Sequence, residues 1–195
     1  MERSMTQYVY HGSQESGIAR LRPVSPLHGS PDTKVIYLSG SAAYSLFYIW
    51  DGTHNLTPRK HVTCALKDGV VQYQEQFPGQ LRAFYQGVSG YLYRIEKTDD
   101  MRPVANREDM WACMREAPVA KAEFIPDVYE RIMLYVREGV VRVTQADDDF
   151  RTQLDEHLAQ QICREGLLRA PDSPDALFYA RFFPRAWSLA QEREK

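Results

Sequence analysis

The sequence predicts an α+β domain over residues 1–145 and an all-helical extension over residues 146–195. Three observations lead there. Short runs rich in aromatic and β-branched residues alternate with brief helical stripes in the first part. Glycine and proline punctuate those runs at short intervals. After Asp147-Asp148-Asp149 the apolar residues Phe150, Leu154, Leu158 and Ile162 recur every four positions, a helical spacing. Strands and helices followed by helices alone make an α+β core with a C-terminal appendage.

Thr6 to His11 carries Tyr8, Val9 and Tyr10 and reads as a strand. The passage with Pro23, Pro26, Gly29 and Pro31 reads as loop. Lys34 to Ser39 is a second strand, ended by Gly40. Ser41 caps a helix running to about Trp50, with Ala42, Ala43, Leu46, Phe47 and Trp50 on its buried face. His61 to Leu66 and Val70 to Gln74 flank Asp68-Gly69, a strong hairpin signal. Pro78 to Gln86 reads as a short helix and Gly90 to Ile95 as a strand, with weaker strands at Met110–Met114 and Val119–Phe124. Pro126 at a first-turn position opens a helix striped by Ile125, Val128, Tyr129, Ile132 and Val136, and Gly139 stops it. Ser173-Pro174 starts a last helix, which Pro184 breaks or kinks.

A chain of 195 residues buries enough surface to need no disulfide staples. Its cysteines, at 64, 113 and 163, form no CxxC or Cys/His cluster and read as reduced. The net charge of −2 gives no electrostatic reason to expect nucleic acid or an anionic membrane. No run approaches 18 apolar residues and the N-terminus has no apolar leader core, so a cytoplasmic location is expected and a membrane is not. Asn55-Leu56-Thr57 is formally a sequon, without consequence in that location. His28, His54, His61 and His157 lack metal-ligand spacing, so no metal is expected. Gly-x-Gly-x-x-Gly, P-loop and Gly-x-Ser-x-Gly patterns are absent.

The informative residues lie in the first 50. Tyr10-His11-Gly12-Ser13 ends the first strand, and Val35-Ile36-Tyr37-Leu38-Ser39 forms the second. Tyr48 follows Tyr37 by eleven residues, on a helix that begins with the small residues Ala42 and Ala43. In order and spacing these residues resemble the ADP-ribosyltransferases, in the branch that includes diphtheria toxin and the poly-ADP-ribose polymerases. The resemblance covers residues 6–50 closely, 60–125 loosely and the helical tail not at all.

The resemblance implies a split β-sheet core and NAD⁺ as substrate. The activity it implies is a glycosyl transfer that breaks the nicotinamide–ribose bond, delivering ADP-ribose to an acceptor or to water. His11, Gly12, Tyr37 and Tyr48 would form the pocket, with Ser13 and Ser39 as further contacts and Tyr44 as a rival to Tyr48. Nicotinamide is a flat cation, so tyrosine faces can hold it by stacking and cation–π attraction. Gly12 allows close approach of the backbone to the carboxamide, and His11 would bond a ribose hydroxyl.

Bond cleavage through an oxocarbenium-like state also needs a carboxylate beside the ribose. The family carries this glutamate at the start of a late strand, and the best local match, Met110-Trp111-Ala112-Cys113-Met114, puts Met110 at that position. Glu108 and Asp109, immediately before it, are the candidates, since a slip of two residues restores Glu108 to the same face. Glu75, Glu96, Glu116 and Glu123 are other carboxylates and read as surface charges. A non-catalytic member of the fold, binding NAD⁺, ADP-ribose or a protein partner, is the alternative. The aromatic side of the tail, Phe178, Phe182, Phe183 and Trp187, is expected to pack on the domain, with a homodimer contact as the alternative.

Overall fold

The computed structural model describes residues 7–50 and 62–194. His54, Asn55 and His61 lie outside the described residues, as does Thr6 of the expected first strand. The fold is mixed α+β with an open, largely antiparallel sheet. No helix among the described residues is long and apolar enough to cross a membrane.

Eleven strands and six α-helices follow one another among the described residues. The first stretch holds β1 (Tyr8–Ser13), β2 (Arg20–Leu21), β3 (Ser25–Leu27), β4 (Ser30–Ser39) and α1 (Ala42–Ser45). Next come β5 (Thr63–Lys67), β6 (Val70–Glu75), α2 (Gln80–Tyr85), β7 (Gly90–Glu96) and β8 (Arg102–Pro103). They are followed by β9 (Met110–Cys113), β10 (Ala117–Ile125), α3 (Val128–Arg137) and β11 (Val141–Gln145). The chain ends on α4 (Asp148–Arg164), α5 (Pro174–Phe182) and α6 (Pro184–Arg193).

By internal contacts the described residues fall into two compact units. One takes residues 7–50, 64–73 and 85–142; the other takes 62–63, 74–84 and 143–194.

The first unit holds an eight-stranded sheet in the order β2-β10-β7-β1-β4-β9-β8, with β3 paired to β4. β1 and β7 pair along the whole of β1, from Tyr8↔Glu96 to Ser13↔Tyr91. On its other side β1 meets β4 in one registered pair, Tyr10↔Ser39. β4 then pairs fully with β9, from Ile36↔Cys113 to Ser39↔Met110. The sheet is thus well laddered on both sides of the β1–β4 seam and sparsely laddered across it. One face is closed by a cluster of Val9, Leu21, Ile36, Leu38, Tyr93, Ile95, Met101, Cys113 and Ala117. A separate three-stranded sheet has the order β11-β6-β5.

Two expectations in the first 50 residues differ from the structure. The passage expected as loop contains the β3–β4 hairpin, turning on His28 and Gly29, where Gly29 takes φ +80°. Pro26 is tolerated because β3 pairs with β4 alone, and an edge strand can leave N–H positions empty. The helix expected to run from Ser41 to Trp50 is one α-turn, α1, tightened into a 3-10 turn over Leu46–Tyr48. Ser41 does cap it, accepting from the Tyr44 N–H at 3.2 Å. Ile49 leaves helical geometry and is fully buried, against the Cα positions of Gly12 and Gly90 on adjacent strands. Burial of that one side chain outweighs continuation of a short helix.

Elsewhere most expected turns and caps occur as read. Asp68 and Gly69 both take positive φ in the β5–β6 hairpin, as a primed two-residue turn requires. The helix expected to open at Pro126 starts later: Asp127 is its cap, so Pro126 precedes the cap and Ile125 ends β10. Pro184 ends α5 and opens α6. In the second unit the tail aromatics meet residues of the 74–84 segment. Phe77 stacks on Phe182 with centroids 4.6 Å apart, and Phe84 sits edge-on to Phe178 at 6.1 Å. Cys64, Cys113 and Cys163 are free thiols.

Candidate functional site

The β1–β4 ladder is registered at Tyr10, and His11, the next residue of β1, occupies the seam. Its Nδ1 lies 3.1 Å from the main-chain oxygen of Tyr37. The carbonyl can only accept, so Nδ1 carries the proton and Nε2 keeps its lone pair. Burial pushes the His11 pKa below its ordinary 6.5, against the raising effect of that hydrogen bond. The ring is therefore neutral at pH 7, with Nε2 an acceptor.

A cavity of about 650 Å³ opens beside it, entirely within the first unit. His11 and Ser13 from β1, Val35, Ile36 and Tyr37 from β4, and Tyr48 line it, and residues of the 15–25 segment close it. That volume suits a small organic ligand or cofactor.

Each tyrosine is held by its own element. The Tyr37 hydroxyl donates to the Pro26 carbonyl at 3.2 Å and accepts from the His28 N–H at 2.9 Å, so the β3–β4 hairpin fixes it. Tyr48 is 43% exposed and braced edge-on by Phe47 and Tyr44, with centroids 5.2 and 5.9 Å away. Burial foremost, then the neighbouring Tyr44, drives its pKa far above the ordinary value, so it stays a neutral phenol. Tyr44, the rival to Tyr48, is 2% exposed and belongs to the core.

Gly12 and Ser39 serve the frame. A Cβ at Gly12 would collide with the Ser45 carbonyl oxygen and stand 2.9 Å from Ile49 Cγ1, so the missing side chain makes room for α1 and the 3-10 turn. Ser39 is buried, and its hydroxyl accepts from the Ser41 N–H at 3.0 Å, bracing the turn into α1. Neither lines the cavity.

Glu108 and Asp109 do not line it either. The Glu108 carboxylate accepts from the N–H groups of Asp68 and Gly69 at 2.8 and 2.7 Å, tying down the β5–β6 turn. Asp109, at φ +47°, accepts from Trp111 Nε1 at 3.0 Å and lies against Gly40. Met110 is buried opposite Ser39. Glu75, expected as a surface charge, is buried and caps α2 through the Leu81 N–H at 2.7 Å and the Gly79 N–H at 3.2 Å.

Three charged residues of the cavity escaped the sequence reading: Glu15, Arg20 and Arg22. All belong to a polar passage read as loop, where no periodicity distinguishes one charge from another. Glu15 is held by its backbone: its N–H donates to Ser13 Oγ at 3.1 Å and its carbonyl accepts from the Tyr93 hydroxyl at 2.6 Å. Among the described residues Glu15 is the one acidic residue that lines the cavity. Arg22 pairs with Glu116 at 3.3 Å, whereas Arg20 forms no ion pair among the described residues. No family model, no curated protein and no solved structure matches this chain.

Proposed function

We propose that the His11 cavity binds NAD⁺ and that the chain cleaves its nicotinamide–ribose bond, as an ADP-ribosyltransferase or an NAD⁺ glycohydrolase. What supports this reading is that His11, Ser13, Tyr37 and Tyr48, singled out by one sequence pattern, line one cavity at the β1–β4 seam. In this reading His11 Nε2 accepts a ribose hydroxyl, and the tyrosine rings offer faces to the nicotinamide cation. Arg20, without an acidic partner, opposes the charge of the diphosphate.

The carboxylate of the reaction is then Glu15 in place of Glu108 or Asp109. The C1′–N bond breaks with its electron pair passing to the nicotinamide ring, which becomes neutral. The ribosyl oxocarbenium left behind is stabilised by the Glu15 carboxylate. Water or an acceptor adds to C1′, and its proton passes to Glu15.

A second reading, NAD⁺ or ADP-ribose binding without catalysis, is favoured by the engagement of Glu108 and Asp109 in structural hydrogen bonds. Titration calorimetry with NAD⁺ and with ADP-ribose, run beside an assay of nicotinamide release, separates the two for the native chain, His11→Ala and Glu15→Gln. Binding lost in His11→Ala, with release lost in Glu15→Gln while binding persists, supports the enzyme. Binding without release in the native chain supports the second reading. A folded native chain that binds neither NAD⁺ nor ADP-ribose removes both.

A further inference from the structure

The opposite face of β1 carries a second, smaller cavity, of about 180 Å³, lined by Tyr10, Leu92, Arg94, Lys121, Glu123 and Tyr135 among others. It too lies within the first unit. We propose that this cavity is a binding site for a phosphate group, gripped by Arg94 and Lys121 and independent of the His11 cavity.

Three observations carry this. Arg94 Nε is fully buried and has no hydrogen-bond partner. A buried guanidinium N–H left unbonded is costly, and an oxyanion that draws the guanidinium toward the cavity would remove that cost. The Arg94 guanidinium also lies over the Tyr8 ring, 4.3 Å from its centroid, which fixes its plane and presents its fork in one orientation.

The second cation arrives through an irregularity. Val119 pairs with Ile95, and a regular ladder would then set Ala120 opposite Arg94 and Lys121 opposite Tyr93, facing the apolar cluster. A bulge between Val119 and Lys121 sets Lys121 opposite Arg94 instead, on the cavity side. Two like charges directly across a ladder repel. Neither has an acidic partner among the described residues. The nearby Glu123 carboxylate is taken by Arg131 at 2.7 Å.

The third observation is room and lining. The volume is several times the roughly 30 Å³ that one water occupies in the liquid. Tyr10 and Tyr135 add phenol groups to the wall. Two unpaired cations match a phosphate dianion better than a singly charged carboxylate, and arginine's fork suits phosphate geometry.

The test is calorimetry at low ionic strength with inorganic phosphate, ribose 5-phosphate and acetate, on the native chain, Arg94→Lys, Lys121→Met and Arg20→Met. Saturable phosphate binding is expected, weakened at least tenfold by Arg94→Lys or Lys121→Met and unchanged by Arg20→Met. Phosphate binding more tightly than the ester identifies the free anion as ligand; the reverse identifies a small phosphorylated molecule. Acetate binding as tightly as phosphate overturns the phosphate assignment. No saturable binding, or binding abolished by Arg20→Met alone, overturns the site. A second readout needs no ligand: in phosphate-free buffer Lys121→Met is expected to raise Tm by relieving the like-charge pair, while reducing the Tm gain that phosphate gives the native chain. A Lys121→Met protein that melts lower in that buffer, or gains as much from phosphate as the native chain, also overturns it.

Discussion

His11 and the Tyr37 main chain are joined where two strands part: Nδ1 stands 3.1 Å from the carbonyl oxygen, across a seam whose one registered pair is Tyr10↔Ser39. A side chain takes the place of a ladder hydrogen bond, and the cavity opens beside that substitution.

The burial that lowers the His11 pKa makes stability depend on pH. As pH falls, the unfolded chain takes up this proton first, near 6.5, while the folded chain resists. The contribution is complete above pH 6.5 and is lost as pH falls from there through the folded-state pKa, at a slope of at most ~1.4 kcal/mol per pH unit. Urea denaturation at pH 7.5, 6.5 and 5.5, with an NMR titration of the ring, checks it. His11→Gln is expected to flatten the slope. A ring that titrates above 6.5 contradicts the burial account.

Gly12→Ala introduces a methyl where the Ser45 carbonyl and Ile49 already sit. An overpacking cost of about 1–3 kcal/mol is expected in urea denaturation. Tyr48 adjoins Ile49 in sequence, so ligand affinity at the His11 cavity should fall as well. Unchanged stability would mean that α1 shifts freely on β1.

Glu108→Gln removes the charge that ties two amides of the Asp68-Gly69 turn. A loss of about 1 kcal/mol is expected, small because the site is exposed. Under the proposed function, NAD⁺ affinity is expected to be unchanged. Loss of nicotinamide release by Glu108→Gln, and not by Glu15→Gln, would assign the proposed catalytic carboxylate to Glu108.

Glu75→Ala strips the start of α2 of an anion that accepts from the Leu81 N–H and from that of Gly79 just before the helix, in a buried setting. It also unpairs the Gln145 side-chain amide, which donates to the same carboxylate. Thermal or urea unfolding is expected to register a loss of roughly 2–3 kcal/mol. An effect within about 0.5 kcal/mol, the ordinary range for a surface substitution, would show that the cap is dispensable.

Local chemistry was legible in the sequence wherever the chain itself sets the geometry. Ser41, Asp68-Gly69, Ser173-Pro174 and Pro184 mark caps, turns and breaks because a side chain bonds, or a ring restrains, the backbone next to it. The short pattern around His11, Tyr37 and Tyr48 likewise singled out residues that line one cavity. Tertiary structure decided the rest. The length of α1 depends on the slot that Gly12 and Gly90 make for Ile49, two positions 78 residues apart in sequence. The roles of the carboxylates depend on which amides come within reach: Glu108 meets a turn 40 residues upstream, Glu75 is buried, and Glu15 is brought to the cavity wall. A charged residue carries no periodic signal of its own partner, because ion pairs and hydrogen bonds between side chains are set by distance after folding and not by spacing along the chain.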